Sequence, residues 1–471
     1  MQKSRLYEIF TALTKTEQRE LGKFVRSPVY NQRQDVVDLY DYLYGNSPFK
    51  DDETVQRERV FATIFPEEAF DAAKFDYTMS FLFTVVKDYL IYKEQEADPI
   101  GQGVLLARAL RKRNLGRIFE TALKTTEKSL DNQPFRDAEY HFQSFQLHFE
   151  KHSFAKQESR TSMASFQEFS EALTHYFLAK KLREACTLVT HKAVSKVDFE
   201  DGAVIAAVLQ LVEQGSYRDA PAVNLYYHCY KALTEQDSLP WFEALRSLMR
   251  LHRASLPPAE AKDLYLVAIN YCIGRSNRGE RAFLQEAFEL YKEGLAAGAF
   301  LENNSLSRFT YNNITMAGLL LKDFAWVENF LHEYRDFIEP KFRESTFNYN
   351  LAIFYFQKPD YERAMELLQQ ADFDDLNHNL SARRMLLRIY FEKDEREALG
   401  SLIPSFKNFI YRHREVGAVP KSSYLNLLRF SSRLLALDRN DRELISTLRK
   451  DVEAMEQVAE KAWLLGFLER V

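Results

Sequence analysis

Cysteine is scarce in this sequence. Three residues in 471, Cys186, Cys229 and Cys272, are too few and too widely spaced for a disulfide framework or a clustered zinc site. That usage fits a reducing compartment, and we expect a cytoplasmic protein. Glycine (15) and proline (13) are sparse too, which leaves little punctuation for the many turns of an all-β fold. No apolar run is long enough to span a bilayer, so no membrane partner is expected. The opening MQKSRLYEIFTALTK lacks the continuous apolar stretch and small-residue cleavage site of a signal peptide. Charge of one sign does not dominate either: the net charge is -5. It is unevenly spread, however, because residues 99–196 carry 16 basic and 10 acidic side chains while both flanks are net acidic. An anionic partner is permitted by that pattern and not demanded by it.

Motifs for chemistry are missing as well. There is no phosphate-cradling glycine loop, dinucleotide fingerprint, nucleophile elbow or zinc-protease helix. An acid–base pair cannot be chosen from 68 aspartates and glutamates without geometry. No enzymatic activity, cofactor or bound metal is therefore expected.

Bulky packing groups are what the chain has in quantity, with 37 Phe and 25 Tyr, and they recur at helical spacing. In TKTEQRELGKFV, Thr14 can cap a helix while Glu17 reaches back as a capping box, and Pro28 lies beyond its end. Val36, Leu39, Tyr40 and Leu43 form one helical stripe, and Phe75, Met79, Leu82, Val86 and Leu90 form a longer one. The segment EADPIGQG, Glu96 to Gly103, joins proline, glycine and a switch in charge sign. It divides a helical N-terminal domain, 1–98, from a second region, 101–471. Beyond it the sequence reads as helix pairs with short turns, and no strand with sustained alternation is found.

The stretch NLAIFYFQKPDYERAMELLQQA, Asn350 to Ala371, shows how the pairs are built. Leu351, Ala352 and Tyr355 on one helix face Ala364, Leu368 and Ala371 on the next, the small residues allowing close approach. Thirty-seven residues earlier, Asp323, Phe324, Val327 and Leu331 stand where Asp360, Tyr361, Ala364 and Leu368 stand. Thirty-five residues after Tyr355 comes Tyr390, followed by Asp394 and Ala398. Asp323, Asp360 and Asp394 are each placed to cap a second helix. Three successive matches make a repeat. The spacing resembles the tetratricopeptide repeat, a helix-turn-helix unit that stacks into a superhelix. The sequence departs from that pattern at Asn348, where a tryptophan is usual, and at Leu376, where a proline closes the unit. An all-α solenoid of tetratricopeptide-like hairpins is thus expected over 101–471, most regular over 303–414, with a C-terminal capping helix at 441–469. The N-terminal KFVRSPVYNQRQDVVDLYDYL resembles the opening of an uncharacterised bacterial family of helical proteins, which supplies no function.

The repeat resemblance implies a peptide site. An asparagine just before the buried first-helix residue bonds ligand backbone in such proteins, and Asn313 and Asn350 hold that place in adjacent units. Arg384 and Arg388 project from the first helix of the next, where guanidinium groups could grip a carboxylate. The alternative site is ARALRKRNLGR, where Arg108, Arg111 and Lys112 share a stripe that could bind phosphates, although cations near a helix end also complement its dipole. His141, His148 and His152 lie near one line of a helix, at a spacing that can chelate a metal, but they border Phe142, Phe145 and Phe149, where half-buried rings commonly sit. ADFDDLNHN lacks the glycine and terminal glutamate of a calcium loop. KAWLLGFLERV is apolar around much of its circumference and is expected to close the end of the array. The expected function is a scaffold that holds a peptide or protein partner, with nucleic-acid binding through 99–196 as the alternative.

Overall fold

The computed structural model describes residues 1–49, 52–192, 202–370, 375–413, 415–437 and 441–470. The described residues are almost entirely helical. In chain order the helices are α1 (Arg5–Ala12), α2 (Lys15–Val25), α3 (Gln34–Asn46), α4 (Arg57–Ile64), α5 (Ala72–Ala97), α6 (Pro99–Arg111), α7 (Gly116–Asp131) and α8 (Ala138–Glu158). They continue as α9 (Phe166–Lys192), α10 (Gly202–Gln214), α11 (Pro221–Thr234), α12 (Leu239–Leu251), α13 (Pro258–Asn277), α14 (Ala282–Ala296), α15 (Arg308–Leu320) and α16 (Phe324–Glu333). The last are α17 (Arg343–Gln357), α18 (Tyr361–Gln370), α19 (Leu376–Glu392), α20 (Arg396–Arg412), α21 (Ala418–Ala436), α22 (Arg442–Ala454) and α23 (Lys461–Leu468).

The chain divides into two compact units. The first comprises Met1–Ala185 with Phe199–Tyr227, and the second Cys186–Asp198 with His228–Val471. Within the first unit, one core is drawn from α1 to α5, where Phe10, Tyr40, Phe61, Phe75 and Tyr89 are almost wholly buried. Burying a large apolar side chain stabilises by about 1.5–3 kcal/mol, so these rings dominate that core. Thr14 and Glu17 form the expected capping box at the start of α2. A second core, containing Val104, Phe119, Leu123 and Leu147, belongs to α6, α7 and α8. The junction read at Glu96–Gly103 is where α5 meets α6. Asp98 ends one helix and caps the other, accepting the Gly101 N–H at 2.9 Å, with Pro99 at the first helical position.

In the second unit, consecutive helices pack as hairpins, α15 with α16, α17 with α18, and α19 with α20. First helices also touch across hairpins, α15 against α17 and α17 against α19. This is an all-α helical-hairpin repeat. Its backbone signature is one recurring bond, made after each first helix: Asp323 N–H to Gly318 O, Asp360 N–H to Tyr355 O and Glu395 N–H to Tyr390 O, at 2.9–3.0 Å. Each closes a helix end by satisfying a carbonyl left over by the last turn. Ala352 and Ala364 are fully buried at the α17–α18 contact, as the small-residue pattern predicts. Ala371 and residues 372–374 of the acidic connector lie outside the described residues.

One local expectation is corrected. Asp323 and Asp360 cap their helices, accepting from Trp326 and Arg363 N–H groups. Asp394 does not take that place. It sits one residue early, in the left-handed region (φ 56°), and Glu395 stands at the N-cap. The third turn matches the first residue for residue, so Asp394 corresponds to Lys322 (φ 61°), not to Asp323. A small antiparallel hairpin, β1 (Leu301–Glu302) and β2 (Ser305–Leu306), has strands of two residues, too short for sustained alternation. Asn303 and Asn304 turn it with φ of 49° and 60°, a conformation that asparagine tolerates better than most residues.

Candidate functional site

The predicted asparagine pair separates. Asn350, on α17, is 1% exposed, and its amide N–H groups are used internally. One donates to Asn312 Oδ1 at 2.5 Å and one to Thr346 O at 2.8 Å. Asn312 in turn lies 3.1 Å from His378 Nε2 on α19, and the His378 ring stacks on Tyr349 with centroids 3.8 Å apart. Burial pushes His378 below its ordinary pKa, with Arg308 adding to that effect, so the ring is neutral at neutral pH. Asn312, Asn350 and His378 therefore form a polar seam through three successive first helices. A seam of this kind fixes their register, because a buried amide without its partners costs about 1–3 kcal/mol.

Asn313 points the other way. It is exposed, and on neighbouring α14 burial pushes the Tyr291 hydroxyl up to about 12. It sits within a line of exposed apolar side chains on α15, with Phe309 (61% exposed), Met316 and Leu320 (60% exposed). The spacing, 309, 313, 316 and 320, is one face of a helix. On α17 the residues 37 further along include Thr346, Asn350 and Ile353, all buried, and it is from this face that Asn350 reaches α15. The face of α17 that α15 covers is left open at the equivalent positions of α15 itself. Arg308 and Lys322 flank the open stripe. The Arg308 guanidinium lies over the Phe309 and Phe342 rings at 4.9 and 4.4 Å, and neither cation has a carboxylate partner among the described residues.

Arg384 and Arg388 do grip a carboxylate, and it belongs to this chain. Glu460, at the N-cap of α23, accepts from both, one oxygen to each guanidinium, the Arg388 contact being 3.3 Å. Glu460 adopts the left-handed region (φ 55°) to do so, a conformation that costs a non-glycine residue of order 1 kcal/mol. Further along α19, Glu392 accepts the Trp463 indole N–H at 2.7 Å and pairs with Arg470 at 2.8 Å. Phe391 packs on Trp463 and Phe467 with centroids 5.7 Å apart. The apolar C-terminal segment thus lies along α19 and closes it.

In the first unit, Arg108 and Arg111 are likewise engaged. Their Nε atoms each donate to one oxygen of Glu150 at 2.7 Å, and Glu150 is buried. Of the predicted basic stripe, Lys112 alone is exposed with no ion pair among the described residues, at the C-cap of α6. His141 stacks on His175 at 5.1 Å, and burial, then His175 and Arg136, push its pKa down to about 4. His148 is lowered too, by burial and Lys151. His152 Nδ1 lies 3.0 Å from Ala164 O. His141 and His148 thus resist protonation, and the His152 ring packs against Phe166 and Phe169 with centroids 5.5 and 5.3 Å apart. Among the described residues, no three His, Cys, Asp or Glu side chains gather as a metal site. None of the three cysteines is in a disulfide, and all three are buried. Burial raises the Cys186 thiol and pushes that of Cys272 up to about 12, which makes both poor nucleophiles at neutral pH.

No helix among the described residues is long and apolar enough to cross a membrane. No protein-family model, curated protein or solved structure matches the chain.

Proposed function

We propose that the protein is a non-enzymatic interaction scaffold whose tetratricopeptide-like hairpins hold a helical segment of a protein partner. The observation that carries this reading is the open face of α15. Within the array, the equivalent face of α17 is covered by a first helix. An added amphipathic helix is therefore the occupant that continues the stacking, as in helix-in-groove recognition. Apolar residues of the partner would meet Phe309, Met316 and Leu320, Asn313 would supply a donor and an acceptor, and acidic groups at its ends would complement Arg308 and Lys322. The other residues marked in the sequence, Asn350, Arg384 and Arg388, act in this reading by building the array, not by touching the partner. The nucleic-acid alternative is weaker, because Glu150 engages two of its three cations.

The test is a comparison of variants. Purified wild type, Phe309→Asp with Leu320→Asp, and the distant surface control Leu251→Asp are used to capture protein from lysate at low and high salt after nuclease treatment. Circular dichroism checks that all three are folded. We expect a protein retained by wild type and control through high salt and lost from the α15 double variant by about tenfold or more. Equal retention by all three overturns the site, and nucleic acid released by salt would replace the reading with the alternative.

A further inference from the structure

Away from the α15 face, the second unit contains a cavity of about 330 Å³ between the end of α12, the start of α13 and the residues after α14. That volume falls within the range of small-molecule sites, about 300–1,000 Å³. Its walls are apolar and belong to the core: Met249, Leu256, Leu264 and Tyr265 are each no more than 6% exposed. Space remains among them because four neighbouring lining positions are alanine, at 254, 261, 297 and 299, and any larger side chain there would fill it. The lining contains a single charged group, Arg253. It is exposed, on the short 3-10 turn Arg253–Ser255, and makes no ion pair with any described carboxylate. Its neighbours Arg250 and Arg246, by contrast, both pair with Glu293.

We infer that this cavity is a binding site for a small molecule with an apolar body and one carboxylate. The body lies against Leu256, Leu264 and Tyr265, and the carboxylate takes the Arg253 guanidinium, whose forked donors match it. Nothing else in the lining offers a full charge, so selectivity for the anion rests on Arg253. The site is separate from the α15 stripe, and its test does not depend on the scaffold reading.

The same chemistry occurs in a free acid and in the C-terminal residue of a peptide. Calorimetric titration of the full chain with octanoate, octanol, and acetyl-Gly-Ser-Gly-Leu as free acid and as amide covers both sources. We expect saturable octanoate binding that Arg253→Gln weakens by about tenfold while octanol binding is unchanged. Tighter binding of the free-acid peptide than of octanoate would assign the source to a chain terminus, and the reverse to a free acid. Ala261→Phe is expected to abolish binding by filling the cavity. Ala254→Trp, at an exposed position of the rim, gives the same result without burden on the core. The inference is overturned if no probe saturates at millimolar concentration, or if octanol and octanoate bind alike to wild type and Arg253→Gln, or if binding survives both filled variants.

Discussion

α15 and α19 are the first helices of the first and third hairpins of one array, closed by the same backbone bond, yet they meet their surroundings oppositely. α15 shows Phe309, Met316 and Leu320 to solvent, with a cation at each end that has no carboxylate partner among the described residues. α19 turns Arg384, Arg388 and Glu392 to α23, which answers each with a partner. The difference shows that the repeat specifies how helices are joined, while side chains on the outer faces decide what lies against them. Where the chain supplies its own covering helix, the face carries charges that its glutamate, indole and arginine satisfy. Where it supplies none, the face is apolar.

The comparison is broken most sharply by truncating an anchor on each side. Trp463→Ala removes a buried ring and its indole bond, and we expect a loss of about 3–5 kcal/mol in urea denaturation. Phe309→Ala removes a ring of similar kind from an open face and should stay within about 0.5 kcal/mol. Similar losses from the two would mean that α15 is covered as well as α19. The asparagines sharpen the contrast one hairpin apart. Asn350→Ala leaves the Asn312 side-chain oxygen without its donor and should cost about 1–3 kcal/mol, whereas Asn313→Ala should leave the unfolding midpoint nearly unmoved while weakening partner capture. If Asn313→Ala is the more destabilising, the polar seam is misplaced.

The smallest effect is electrostatic. Burial alone would raise the Glu392 carboxyl, but the hydrogen bonds from Arg470 and Trp463 together with the charges of Arg470 and Arg388 outweigh it, so its pKa lies below the ordinary value. A carboxylate lowered by folding adds stability above its unfolded pKa, about 4.3, and that stability is lost as pH falls through the folded value. Melting curves of wild type and Glu392→Gln between neutral pH and pH 3 should therefore converge on acidification, the difference at neutral pH being about 1 kcal/mol or less. A constant gap across that range would show that Glu392 acts by packing instead.

Much of the hairpin array was legible because its signals are local. Caps at Thr14, Asp323 and Asp360, the buried alanines 352 and 364, and the spacing of 37 and 35 residues all act within one or two turns. What failed depended on distance. Asn350 looks like Asn313 in sequence, and only the stacking of α17 on α15 makes one a buried seam and the other a surface residue. Arg384 and Arg388 were read as gripping a carboxylate, but their partner Glu460 lies more than 70 residues away, beyond the reach of pattern. Phe309, Met316 and Leu320 have the spacing of a core stripe, and nothing local distinguishes a face that is covered from one that is not. Asp394 misled because the third turn is as long as the other two, which puts the aspartate on the left-handed residue and Glu395 on the cap. Asn303 and Asn304 mark a turn, but strands of two residues are too short for alternation to show.

The enclosure of α17 has a consequence for motion. Among its residues, Thr346, Phe347, Tyr349, Asn350, Ala352, Ile353, Phe354 and Phe356 are buried, and helices α15, α16, α18 and α19 all pack against it. A helix so surrounded cannot fray alone. Opening must begin at the outer helices and reach α17 last, which makes the middle hairpin the clock by which the array comes apart and the ends, α15 and α23 included, the parts free to answer a partner before it does.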